Sequence, residues 1–145
     1  MITYTEKGAG LHAAIGAAGL ALWCADNVWC STDDAAVQAI IDAYTLDDAR
    51  APVIELIKDS ARLRILAFLP DWKQSNLNAR MNELNLTRFT RELVAEELSE
   101  IAAMQAIWNQ AKAIRQASND HEAALNALAS FEAVAAYDIS AGWPG

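Results

Sequence analysis

Beyond residue 31 the apolar positions recur every three or four residues, the period of a helix with one buried face. Val37, Ile40, Ile41 and Tyr44 make the first such stripe, and Ser31 and Asp34 stand before it in capping-box spacing. Val53, Ile57, Ala61, Ile65 and Phe68 make a second. Asp47 and Asp48 suit the positive end of its dipole, Pro52 suits a first turn, and Pro70 ends it. A third stripe, Leu77, Met81 and Leu84, follows Asp71 as its expected cap. Leu98, Ile101, Met104, Ile107, Trp108, Ala111 and Ile114 predict the longest helix, from about residue 91 to 117. Asn119 and Glu122 repeat the capping-box spacing, which predicts a break near Ser118 and a last helix using Leu125, Leu128, Phe131 and Val134. Gly142 and Pro144 then force irregular backbone, leaving Trp143 either tucked against the body or offered to a partner.

The opening residues read differently. "MITYTE" alternates partly, like a strand. "GLHAAIGAAG" predicts a short helix ending at Gly19, and "LALWCADNVWCST" a hairpin turning at Asp26 and Asn27. The expected fold is α+β and predominantly helical: a small N-terminal β-α-β-β-α unit over residues 1–46, then a C-terminal helical hairpin or bundle over residues 47–145 with one long helix and an irregular tail.

Composition narrows the function classes. The chain has 145 residues, 54% apolar and 21% charged, which suits one folded domain or two very small units. A formal charge of -8 argues against a general nucleic-acid binder, whose affinity comes from neutralising phosphates. That charge is uneven: residues 1–50 and 96–145 each carry a net -5, and residues 51–95 a net +2. The middle is therefore either a basic layer packed between acidic helices or a face for an acidic partner. Residues 8–25 lack charge but are mostly Ala and Gly with His12, too weakly hydrophobic for a membrane span. With no basic segment before them, no signal peptide is expected, and the protein is placed in a bacterial cytoplasm.

The search for reactive groups returns little. No phosphate loop, nucleophile elbow, HExxH or C-x-x-C motif occurs, and no cofactor or metal is expected. His121, beside Asp120 and Glu122 in a helix's first turn, is expected to face solvent. A two-residue hairpin turn would set Cys24 opposite Trp29 and Trp23 opposite Cys30, thiols on opposite faces. A three-residue turn would leave the thiols diagonal, beyond comfortable disulfide reach. His12, Cys24 and Cys30 together lack a usual zinc spacing. Adjacent carboxylates at Asp33 with Asp34, Asp47 with Asp48 and Glu96 with Glu97 point about 100° apart on a helix, so none forms an acid–base pair. A non-enzymatic protein is expected.

Two segments carry a resemblance. "GLHAAIGAAGLALWCADNVWCSTDDAAVQAIIDAY" is similar to the opening of small phage and prophage proteins encoded with tail-fibre genes, with a G-L-x-x-A-I start and a D-D-A-A-V-Q-A-I-I-D helix, although Asn27 stands where their turn often has glycine. "LPDWKQSNLNARMNEL" followed by "EELSEIAAMQAIWNQAKAIRQASN" resembles a helical module of phage tail-associated and tail-fibre assembly proteins. Trp72, Lys73, Gln74, Asn76, Arg80 and Glu83 match its W-K-Q-x-N-x-x-x-R-x-x-E pattern. The resemblance implies a tail-fibre assembly chaperone or fibre-bound accessory whose partner is a phage tail-fibre protein, working in the host cytoplasm or retained on the virion tail.

The partner-binding residues expected are Trp72, Lys73, Gln74, Asn76, Asn78, Arg80, Asn82 and Trp143. Gln74, Asn78, Asn82 and Asn85 recur at spacings of four, four and three. Such amides either fix helix register by hydrogen bonds across a bundle or dock on a partner's backbone. Alternatives to the chaperone are a minor virion subunit, self-associated through the long helix, and a small acidic inhibitor of a host protein.

Overall fold

The computed structural model describes residues 1–145 and is α+β, predominantly helical. Its elements are α1 (Ala9–Ala17), β1 (Leu22–Ala25), β2 (Val28–Ser31), α2 (Asp34–Ala43), α3 (Leu46–Phe68), α4 (Asp71–Thr87), α5 (Ala95–Asn126) and α6 (Phe131–Ala135). No helix is long and apolar enough to cross a membrane. Two compact units form, each from two stretches of chain: Met1–Leu56 with Glu122–Ile139, and Ile57–His121 with Ser140–Gly145. α3 and α5 each contribute residues to both units.

In the first unit, Ile2, Leu11, Ile15, Val37, Ile41 and Tyr44 form the core, with Leu22, Trp29 and Phe131 packed against it. The antiparallel hairpin β1–β2 pairs Trp23 with Cys30 and Cys24 with Trp29. Asp26 and Asn27 both take positive φ, 51° and 61°, as a type I′ turn requires. The two-residue register therefore holds, and the free thiols of Cys24 and Cys30 lie on opposite faces. Gly19, at φ 74°, closes α1 as expected, with Leu20 N–H donating to Ile15 O.

Residues 1–6 form no strand, a correction to the expected first element. Their alternation is real, since Ile2 is buried, but the Gln38 side chain of α2 takes the place of a partner strand. Thr3 N–H donates to Gln38 Oε1 at 2.8 Å, and Gln38 Nε2 donates to Thr3 O at 3.2 Å. Two cations finish helices in this unit. Lys7 Nζ donates to Ile41 O and Tyr44 O at the end of α2, and Arg50 donates to Leu128 O just past α5 while pairing with Asp47.

Several helix ends differ from expectation by a short distance. Asp33, not Ser31, caps α2 by accepting from Ala36 N–H, and Ser31 donates to Asp34 instead. Thr45 and Asp48 form a reciprocal box that starts α3 at Leu46, which leaves Pro52 beyond the first turn. Asp71 lies inside α4, with Pro70 at the cap position. The largest correction is α5, which runs without a break through Ser118 to Asn126. Its buried stripe continues through Ala117, Ser118, His121 and Leu125, so two polar residues occupy apolar positions. Consequently α6 is a short separate turn, capped by Ser130.

In the second unit, Leu84 of α4 meets Ile101 and Met104 of α5, with Leu77, Met81 and Leu93 around them. The expected α4–α5 hairpin is thus packed along the stripes that the spacing defined. Leu84 is fully buried, whereas Leu86 is 67% exposed. Replacing Leu84 by Ala should lower unfolding free energy by about 2–5 kcal/mol in urea titration, against under about 0.5 kcal/mol for Leu86→Ala.

Candidate functional site

The eight residues expected to meet a partner divide into two groups. Lys73 and Gln74 turn back onto the end of α3: Gln74 Nε2 donates to Leu69 O at 2.9 Å and Lys73 Nζ to Phe68 O at 3.4 Å. These satisfy carbonyls that a helix end leaves without intrahelical donors. Arg80 is bidentate to Glu100, at 2.7 and 3.0 Å, and reaches Glu83 at 2.8 Å, which ties α4 to α5. Its guanidinium is held protonated more firmly by these hydrogen bonds, Glu100 first. Trp143 is half-buried, its ring 4.9 Å from that of His121 and 4.9 Å from the Arg64 guanidinium. That contact corrects the expectation for His121, which is buried and not solvent-facing.

Trp72, Asn76, Asn78 and Asn82 stand in solvent, as does Asn85. The three asparagines of the spaced amide row therefore do not lie in a helix–helix seam of this chain, and only Gln74 among the four amides has a structural bond. The exposed row and the Trp72 ring, 68% exposed, remain open to contact.

The hairpin's turn holds a feature outside the expected set. Leu86, Phe89, Val94 and Leu98 are 67%, 87%, 53% and 51% exposed; Phe89 and Val94 lie in the connection between α4 and α5, Leu86 in the last turn of α4 and Leu98 in the first turn of α5. Leu98 was expected on the buried side of the long helix, and this is a further correction. It lies beside a depression of about 370 Å³ lined by Arg88, Arg91, Glu92, Leu93 and Leu98. The signal was present in the sequence: Leu86 and Phe89 lie off the line through Leu77, Met81 and Leu84.

One carboxylate orders this turn. Glu97 accepts from both Arg91 amino groups, at 2.7 and 3.2 Å, and from Val94 N–H at 3.0 Å. The last bond is the carboxylate half of a capping box. Arg91 first, then the Val94 amide, lowers its pKa to about 2.

A second cluster of chemical groups lies in the first unit. Tyr4 Oη donates to Glu6 Oε2 at 2.9 Å and lies 3.0 Å from His12 Nε2, so the imidazole must donate. Tyr4 also stacks on Trp29 with centroids 3.9 Å apart. Burial first, then the bond and charge of Glu6, pushes its phenol up to about 12, so it stays protonated near neutrality. Glu6 is held below its ordinary value, first by the Gly8 amide, which donates at 2.8 Å. These contacts tie the N-terminal segment to His12 of α1 and Trp29 of β2.

Comparison with protein families, with curated proteins and with solved structures finds no match. What the chain's own geometry defines is a helical hairpin with an apolar, partly basic tip.

Because the folded pKa of Glu97 is depressed, its contribution is present above the unfolded value of 4.5 and lost as pH falls toward about 2. Glu97→Gln should lower the urea midpoint at pH 7, and the gap from wild type should shrink steadily between pH 4.5 and 2.

Proposed function

We propose that this chain is a non-enzymatic protein-binding accessory of phage tail-fibre assembly, acting as a chaperone or a fibre-bound component. The observation that carries the reading is the exposed apolar tip of the α4–α5 hairpin. Large apolar side chains grouped in water mark interaction surfaces more often than the scattered ones do. Each would contribute about 1.5–3 kcal/mol if fully buried by a partner. Arg88 is exposed beside Phe89, and Arg91, though paired with Glu97, also stands in solvent, so an acidic or carbonyl-rich rim on the partner fits. The exposed Asn76, Asn78 and Asn82 extend this surface with amides able to bond a partner's backbone. The tail-fibre resemblance of the sequence supplies the biological setting.

A second reading, a self-associating virion subunit, draws on a separate observation. Leu63, on the part of α3 that belongs to the second unit, is 68% exposed. A defined oligomer of the isolated chain would favour it.

Co-expression with the adjacent tail-fibre protein, followed by purification and mass measurement, tests the first reading. A stable complex is expected, weakened at least about tenfold by Phe89→Asp combined with Leu98→Asp, with melting temperature unchanged. Recovery of the chain alone, or a complex indifferent to both substitutions, would overturn it.

A further inference from the structure

The first unit also encloses a cavity of about 380 Å³, within the range of small-molecule sites. Its walls are chiefly apolar, including Pro52, Val53, Phe131 and Val134, and the side-chain donors that line it are those of Lys7, Tyr44 and Tyr137, of which the first two concern us. Lys7 carries three N–H donors. Two go to Ile41 O and Tyr44 O, the charge lies 5.6 Å from the centre of the Phe131 ring, and no carboxylate pairs with it. One N–H and part of a positive charge therefore remain for something else.

Tyr44 supplies the second donor. The residue is only 9% exposed, yet its hydroxyl makes no hydrogen bond within the protein. The oxygen keeps some accessible surface, so it is free to donate to a ligand seated in the cavity. Gly10 makes room for it: a β-carbon at that position would collide with Tyr44 Oη, so the phenol reaches the cavity past a bare backbone. Both donors suit an acceptor carrying negative charge, and the remaining lining suits hydrocarbon.

We propose that this cavity binds an apolar monocarboxylate, with Lys7 and Tyr44 holding the carboxylate and Pro52, Val53 and Val134 enclosing the hydrocarbon. The inference is independent of the tail-fibre reading, because no residue of the hairpin tip takes part. A carboxylate fits better than a phosphate ester, since a single cation matches a single negative charge.

Isothermal titration of the full chain with octanoate, and with 1-octanol as the uncharged control, tests this. Octanoate should bind once per chain, at least about tenfold more tightly than 1-octanol, as expected when hydrogen bonds to a charged group are lost. Tyr44→Phe should weaken octanoate severalfold, and Lys7→Gln about tenfold or more. Since Lys7 also finishes α2, Val53→Trp provides a variant that fills the cavity and leaves that cap intact. It should abolish binding while circular dichroism is unchanged. Absence of saturable octanoate binding, equal affinity for 1-octanol, or undiminished binding by Val53→Trp would each overturn the proposal.

Discussion

A single carboxylate fixes the geometry on which the proposed activity rests. Glu97 takes two hydrogen bonds from Arg91 and one from the Val94 amide, so the turn after α4 and the first residues of α5 are set by one side chain. Ordering a seven-residue connection costs conformational entropy, and charge-assisted bonds offset part of that loss. Below the turn, Arg80 bridges to Glu100 while Leu84, Ile101 and Met104 close the seam. With the polar groups of the turn engaged locally, Leu86, Phe89 and Val94 are left facing water. An apolar tip held this way is already arranged for contact and needs little further ordering on binding.

Much of the helical fold was legible because burial leaves a period. The α3, α4 and α5 stripes follow it closely, with Ile57, Ala61, Leu84, Ile101, Met104, Ala111 and Ile114 all buried. The errors arise where a different group does the work of the expected one. Residues 1–6 alternate like a strand but bond to the Gln38 side chain, and sequence spacing carries no sign of an amide 35 residues away. The break foreseen at Ser118 rested on Asn119 and Glu122 as a cap, yet the buried stripe persists through Ser118 and His121. Polar residues at apolar positions look like an interruption until Trp143, from the chain's end, is seen against His121.

The candidate site was legible only in part, for a related reason. Within W-K-Q-x-N-x-x-x-R-x-x-E, Lys73 and Gln74 serve the end of α3 and Arg80 and Glu83 serve the hairpin, so four of its six residues are architecture. Its spacing is consistent with both roles, because helix-end carbonyls and a partner's carbonyls are the same acceptors. Leu86, Phe89 and Val94 drew no notice because they lie between two periodic segments, and Leu98 because its three-residue distance from Ile101 imitates a buried position. Residues that break the period are the ones left facing water here, and reading by period passes over them.

The central claim is that the hairpin tip is where a tail-fibre protein is engaged. Hydrogen–deuterium exchange on this chain, alone and with the fibre protein present, tests it most directly. The account predicts slowed exchange concentrated in residues 86–98, with the amides of β1 and β2 unaffected. Protection centred on the β1–β2 hairpin, or exchange unchanged across residues 86–98 in a complex of confirmed mass, would contradict it.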